Sequence, residues 1–215
     1  MQAAIVAGGL GTRAGGMTGG RIPKALLPVG GVPIIFRQMR VLRREGVTQV
    51  CVLAGHLGDR LQAALEPEAA ALGLGLQIII EPTPLGTAGC LASLDPGTEE
   101  MLIVYGDMLF DIALAPLREF HHHHQALLTI LAHPNDHPRT SDLVVEEDGL
   151  VKVILPYPRP REEDQRNLVP AGIYLASPAF FAQLKRRAKV DMIRESVSYT
   201  HLDVYKRQSH TRVMS

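Results

Sequence analysis

The sequence predicts an α/β fold, a doubly wound and mainly parallel sheet with a small β-hairpin subdomain. Three observations predict it. Short apolar strands alternate with helical segments from Gln2 to Tyr105. Those strands read as continuous apolar runs, the pattern of strands covered on both faces. Beyond residue 110 the rhythm changes, and two short strands flank Asp148-Gly149, the turn chemistry of a hairpin.

Gln2–Ala7 is a β-branched and alanine run that stops at Gly8-Gly9 and reads as a buried strand. The segment from Pro33 to Glu45 is helical, with Ile35, Met39 and Leu42 on one face and Arg37, Arg40 and Arg44 on another; Gly46 ends it. Thr48–Ala54 is the next strand, Asp59–Leu72 the next helix and Leu76–Glu81 a third strand. A short helix over Ala88–Leu94 precedes a fourth strand, Met101–Tyr105, which closes at Gly106-Asp107. A helix over Ala113–His122 leads into strand Ala126–Ala132, then the hairpin Asp142–Glu146 and Leu150–Ile154. Pro156–Pro160 is a loop, Gly172–Leu175 a strand and Pro178–Arg187 a helix.

The chain has 215 residues, one domain at roughly 150 residues per domain. Hydrophobic residues make up 46% and mean hydropathy is +0.08, enough to fill a core. Twenty-two basic residues balance 22 acidic ones, which removes a broad electrostatic case for nucleic acid or an anionic membrane. No apolar run approaches the ~18 residues of a membrane span. Cys51 and Cys90 sit in apolar surroundings, as in a reducing compartment. A cytoplasmic protein is the expectation. Ser196–Ser215 has no sustained period, and Ser198 to Gln208 resembles the translated adapter sequence that recurs at the ends of assembled reading frames. The expected division is therefore residues 1–195 as the domain, truncated at its C-terminal end, and 196–215 as a non-native tail.

Seven glycines fall between Gly8 and Gly20, directly after the first strand, where backbone N–H groups can approach phosphate oxygens. Gly9-x-Gly11-x-x-Ala14 satisfies the dinucleotide fingerprint by letter. That motif must open a helix, however, and needs an acidic residue about 20 positions on. Gly15, Gly16, Gly19 and Gly20 oppose the helix, and the acidic residue is missing. Gly15-x-x-x-x-Gly20 continues as Arg21-Ile22 where a P-loop needs Lys and Ser or Thr, so that match fails too.

What remains is Gly8-Gly9-Leu10-Gly11-Thr12-Arg13 followed by Pro23-Lys24, which resembles the sugar-nucleotidyltransferase family. Glu81-Pro82-Thr83-Pro84-Leu85-Gly86-Thr87 is similar to its base-reading segment, and Tyr105-Gly106-Asp107 to its metal-binding strand end. His133 to Pro138 with Ser141-Asp142-Leu143-Val144 resembles the mannose- or heptose-1-phosphate guanylyltransferase branch, often fused to a histidinol-phosphatase-type sugar phosphatase. The resemblance covers residues 1–195. It implies a Rossmann-like sheet of the nucleotide-diphospho-sugar transferase type, with the hairpin on the sugar side. It also implies an enzyme that joins a nucleoside triphosphate, GTP favoured, to mannose or heptose 1-phosphate and releases pyrophosphate.

Both reactants are polyanions, so positioning and charge neutralisation carry such a reaction. The resemblance implies Arg13 and Lys24 as catalytic residues: a forked guanidinium on the pyrophosphate and an ammonium near the α-phosphate. It gives Ala7, Gly8, Gly9, Gly11, Thr12, Arg13, Glu81, Gly86 and Thr87 to the nucleotide. Asp107, at the carboxyl edge of the sheet, would hold Mg²⁺, which binds through one or two carboxylates plus substrate phosphates. Each also has a plainer reading: solvated loop cations, strand-end turns, and a helix cap, which fits Asp111 better than Asp107. His121–His124 sit at a helix end, where adjacent side chains diverge and cannot converge on one ion. Lys185, Arg186, Arg187 and Lys189 read as a solvated helix end.

The chain departs from the family pattern on the sugar side. Tyr157-Pro158 stands where the family carries Lys-Pro, with Arg159 two residues on as a substitute cation. Pro170-Ala171-Gly172 stands for Asn-Ala-Gly, with Asn167 nearby. Arg159 and Gly172 are the expected sugar-phosphate residues. The second metal carboxylate, from a later strand, is missing. The alternative reading is a nucleotide-binding or regulatory module that has lost sugar transfer. Expected partners are the triphosphate and the sugar 1-phosphate, with a homo-oligomer and a fused phosphatase domain left open. Sequencing the source DNA across the codons for 190–215 is expected to find the frame continuing past Glu195; a frame that stops as printed would contradict the tail reading.

Overall fold

The computed structural model describes residues 1–9, 21–83, 86–135, 140–158, 167–184 and 202–206. Strand β1 is Gln2–Ala7, and β2 (Pro28–Val29) and β3 (Val32–Pro33) form a small ribbon. Helix α1 (Ile34–Arg44), β4 (Gln49–Ala54), α2 (Gly58–Leu72) and β5 (Gly75–Ile80) follow. Next come α3 (Gly86–Gly89), β6 (Met101–Tyr105), α4 (Ala115–His123) and β7 (Leu128–Pro134). The chain continues through β8 (Leu143–Glu147), β9 (Leu150–Leu155), β10 (Leu168–Ala176), α5 (Pro178–Leu184) and β11 (Leu202–Lys206).

Among the described residues one sheet runs β5-β4-β1-β6-β10-β7-β11-β9-β8. Strands β5, β4, β1 and β6 pair in parallel, β10 runs antiparallel to both β6 and β7, and β8 and β9 form the hairpin. The α/β, mainly parallel architecture is therefore as expected. Alternation along β1 divides the core. Ala3 and Ile5 face Ile35, Met39 and Leu42 of α1, Leu61 and Leu65 of α2, and Leu117 of α4. Ala4 faces Cys90, Leu91 and the Phe180, Phe181 and Leu184 stripe of α5. Cys51 and Cys90 are both buried free thiols, and burial pushes them up to about 11 and about 12.

The hairpin turn forms at Asp148 and Gly149, both with positive φ (53° and 81°), the geometry that Asp-Gly favours. Other expectations are corrected. The helix expected over Ala88–Leu94 is the short α3 followed by a 3-10 turn, Cys90–Ser93, closed by the Ser93 hydroxyl donating to the Cys90 carbonyl at 2.7 Å. Strand β10 is longer than Gly172–Leu175. It accommodates Pro170, which has no N–H to give the ladder, beside a register break between Pro170 and Tyr174. Asp111 caps no helix: it accepts from Arg44 at 2.6 Å, and Glu45 Oε2 accepts the Leu114 N–H at the start of α4. The β2–β3 ribbon was not anticipated, although Gly30 and Gly31 (φ 56° and 77°) supply its turn. Apart from these corrections, Leu202–Lys206 pairs in parallel with β7. The helix expected to Arg187 is described to Leu184, and the Lys185–Lys189 cluster lies outside the described residues.

Helix α4 is tied to the strand before it by Glu100, a largely buried carboxylate that accepts from Arg118 and His122. Desolvation pushes this carboxyl up, but the Arg118 and His122 hydrogen bonds outweigh it and hold it below the ordinary value. A depressed folded-state pKa stabilises above the unfolded value, about 4.3, and the gain is lost as pH falls through the folded one. Glu100→Gln is therefore expected to destabilise the chain at pH 7 and to shrink the difference from wild type below about pH 4, read by urea unfolding at both pH values.

Candidate functional site

Parallel pairing brings the carboxyl ends of β1, β4, β5 and β6 to one edge, and small residues let the chain segments leaving them pack together. A Cβ on Gly55, after β4, would lie 2.7 Å from the Gly8 carbonyl oxygen, after β1. A Cβ on Gly106 would lie 3.1 Å from Ala7 Cβ, and the Gly106 N–H donates to Val6 O at 2.9 Å. Glu81, just past β5, donates its N–H to Ala54 O, and its Oε2 stands 3.7 Å from the position of a Cβ on Gly8. Ala7, Gly8, Gly9 and Glu81 thus gather at this edge. Gly86 and Thr87 open α3 beyond β5. Gly11, Thr12, Arg13 and Arg159 lie outside the described residues.

Lys24 and Asp107, 83 residues apart, meet here: Lys24 Nζ donates to Asp107 Oδ2 at 2.5 Å, with both side chains about two-fifths exposed. Lys24 opens a 3-10 turn, Lys24–Leu26, in which Leu27 N–H returns to Lys24 O at 3.0 Å and Ala25 is buried. Asp107 rides on the loop after β6. Gln38, buried in α1, fixes that loop by donating its Nε2 to Tyr105 O at 2.8 Å and Met108 O at 2.7 Å. Sequence reasoning missed Gln38 because one amide beside an apolar stripe gives no sign of reaching across to another strand.

Beside Asp107 opens a cavity of about 340 Å³ between the β6 loop, β7, β10 and the segment leading into β8. Tyr105, Met108 and Tyr174 form one wall, Val169 to Gly172 another, and His133, Asn135, Ser141 and Asp142 the third. Gly172 has φ 71°, and a Cβ there would stand 2.8 Å from Met108 Sδ, so the close approach of β10 to the β6 loop requires glycine. Pro170 is part of the same wall. Asn135 N–H donates to Asn167 O at 2.7 Å. Tyr157 directs its backbone inward, donating its N–H to Asp142 Oδ1 at 2.7 Å, while its side chain is 45% exposed. His133, Asn135, Ser141 and Asp142 were legible as parts of a branch marker, but their place in a cavity wall was not.

Among the described residues no three His, Cys, Asp or Glu side chains cluster as metal ligands. Asp107 would nevertheless suit Mg²⁺ as a single, partly exposed carboxylate at an open edge, since that ion binds through one or two carboxylates plus substrate phosphates. The four histidines diverge. His121 is buried, paired with Thr129 Oγ1 at 2.8 Å and held below the ordinary imidazole range by burial; His122 meets Glu100, and His124 stacks on Phe120. No described helix is long and apolar enough to cross a membrane.

The nucleotidyl transferase family profile matches residues 2–210. The chain is 29% identical over 193 residues to mannose-1-phosphate guanyltransferase beta-A of Xenopus laevis, covering 87% of this chain and 52% of that one. It is 30% identical over 189 residues to the mannose-1-phosphate guanylyltransferase catalytic subunit beta of Drosophila pseudoobscura pseudoobscura, covering 86% and 50%. The chain thus spans about half the length of these relatives. The fold superposes on HddC from Yersinia pseudotuberculosis complexed with GMP-PN, with TM-score 0.78, 19% identity, and coverage of 96% of this chain and 90% of that one.

Removing Gln38's amide strands two carbonyls behind the Asp107 loop. Gln38→Leu is expected to lower the unfolding free energy by about 1–3 kcal/mol, measured by urea titration.

Proposed function

The chain belongs to the nucleotidyl transferase family, and on that premise we propose that it condenses a nucleoside triphosphate with a sugar 1-phosphate. A phosphate oxygen of the sugar attacks the α-phosphorus; the new P–O bond forms as the bond to pyrophosphate breaks. The observation that carries this reading is the Lys24–Asp107 pair at the carboxyl edge of the sheet, where open α/β sheets bind ligands.

Lys24 is the group for the α-phosphate and Arg13 for the leaving pyrophosphate. Backbone N–H groups around Gly8, Gly9, Gly11 and Thr12 cradle the phosphates, and Glu81, Gly86 and Thr87 face the base. Gly172 and Arg159 are the residues for the sugar phosphate. Each member of the ion pair is the other's counter-ion. Triphosphate oxygens compete with Asp107 for the ammonium, so Lys24 transfers from carboxylate to phosphate and leaves Asp107 open. Mg²⁺ held there would supply neutralisation of triphosphate charge. GTP is the favoured nucleotide and mannose or heptose 1-phosphate the favoured acceptor, supported by what the relatives' names state and by the guanine nucleotide in the HddC complex. A cytoplasmic location goes with this reading.

The second reading, a nucleotide-binding module without sugar transfer, is favoured by one observation: Tyr157 brings a backbone N–H toward Asp142 but no positive charge. Pyrophosphate release is the test. GTP with mannose 1-phosphate and Mg²⁺ is expected to turn over, and Lys24→Met or Asp107→Asn to lower kcat/KM about 100-fold or more, with the circular dichroism spectrum unchanged. Unchanged kcat/KM in both variants would overturn the assignment. Wild-type chain that binds GTP but releases no pyrophosphate with any sugar 1-phosphate, and gains none on Tyr157→Lys, would favour the module.

A further inference from the structure

If the proposed function holds, and the inference here rests on that reading, Asp107 has to present its carboxylate to Mg²⁺ in one place. That side chain stands on a loop after β6, and a loop does not by itself hold a carboxylate still. The groups packed around a metal ligand set its direction. Buried against this loop is Gln38, 1% exposed in α1.

The Gln38 amide spans the loop. Nε2 carries two hydrogens and donates to Tyr105 O at 2.8 Å and to Met108 O at 2.7 Å. Those two carbonyls bracket Gly106 and Asp107, so both ends of the step that carries the carboxylate are tied to one planar group. The amide has a single orientation: turned over, Oε1 would face two carbonyl oxygens, and all three can only accept. Between the two ties, Gly106 N–H donates to Val6 O at 2.9 Å and fixes the loop to β1. All three bonds engage backbone atoms of the loop, while the Asp107 side chain meets Lys24 at 2.5 Å.

Gln38 Oε1 is buried and has no hydrogen-bond partner among the described residues. An unmet buried acceptor opposes folding. The other buried positions of α1 are Ile34, Ile35, Met39 and Leu42, and an apolar side chain at 38 would fill the same place without that penalty. What the amide alone supplies is two donors to the loop.

We infer that Gln38 is a positioning residue for Asp107, acting through Tyr105 O and Met108 O to set the carboxylate for Mg²⁺ on the bound triphosphate.

The experiment is calorimetric titration of a non-hydrolysable GTP analogue into the full chain, with EDTA and again with Mg²⁺. The ratio of the two affinities reads the contribution of the metal. Gln38→Met, close in length and without a donor, is expected to cut that ratio about tenfold or more, with the affinity in EDTA within about threefold of wild type. Leu65→Ala weakens the core at α2 instead and is expected to leave the ratio within about twofold, both variants being folded by circular dichroism at the titration temperature. Asp107→Asn removes the carboxylate, so adding Gln38→Met to it is expected to change the ratio no further, the mark of a residue that acts through Asp107. Should Gln38→Met fail to fold, Gln38→Asn, whose amide is one methylene short of the loop, is read in the same way. An unchanged ratio in the position 38 variant, an equal fall in Leu65→Ala, or a further tenfold fall in the double variant would each overturn the inference. If wild type binds analogues of GTP, ATP, UTP and dTTP no more tightly with Mg²⁺ than with EDTA, the functional reading itself falls and the inference with it.

Discussion

In-register parallel pairing of β1 between β4 and β6 is the constraint on which the rest depends. Ala7 stands beside Ala54, and Val6 beside Tyr105, so three separate chain segments must leave the sheet at the same edge. Bulky residues could not leave there together. Gly55 and Gly106 remove Cβ atoms that would crowd the Gly8 carbonyl and Ala7, and the segments pack backbone against backbone. The same central placement lets elements packed on both sides of the sheet bury the middle of β1, where Ala3, Ala4 and Ile5 are small or β-branched apolar residues. Core packing and site construction are here two consequences of one arrangement.

That edge brings together opposite charges from distant parts of the chain. Lys24 arrives on a turn held by backbone hydrogen bonds, and Asp107 on a loop that α1 anchors through Gln38. Their ion pair is partly exposed, so its own contribution to stability is small, about 0–1 kcal/mol. Its significance lies in being exchangeable. A polyanion can draw off the ammonium and a cation can take the carboxylate, whereas neither could readily displace a fully buried pair. Antiparallel insertion of β10 next to β6 then supplies the second half of the site, because the bend at Gly172 opens the cavity beside Asp107.

Much of this was legible in the sequence, and what was not has physical reasons. Continuous apolar runs gave the strands, and the period of Ile35, Met39 and Leu42 gave the buried face of α1, all three fully buried. Asp148-Gly149 gave the hairpin because few residue pairs tolerate two positive φ values. Local pattern failed where a long-range partner decides. Asp111 looked like a cap until Arg44, 67 residues away, claimed it. Cys90–Ser93 carries helical composition, yet the Leu94 N–H bond to Leu91 O and the Ser93 hydroxyl on Cys90 O close it as a tighter turn. The meeting of Lys24 with Asp107 follows from no spacing rule. Only the resemblance placed both at one site, and it did not anticipate that they would pair. His133, Asn135 and Asp142 were visible as a motif but not as walls, since a wall exists only once β7 and β10 lie side by side.

The central claim is that Lys24 exchanges Asp107 for the nucleotide. The most direct test compares wild type with Asp107→Asn in their affinity for a non-hydrolysable GTP analogue, with EDTA and then with Mg²⁺. Without metal, Asp107 competes with phosphate for Lys24 and repels it, so Asp107→Asn is expected to bind the analogue more tightly than wild type. With Mg²⁺ the order is expected to reverse, because the carboxylate then holds the cation that neutralises the phosphates. The same ratio of affinities in both conditions would contradict the exchange.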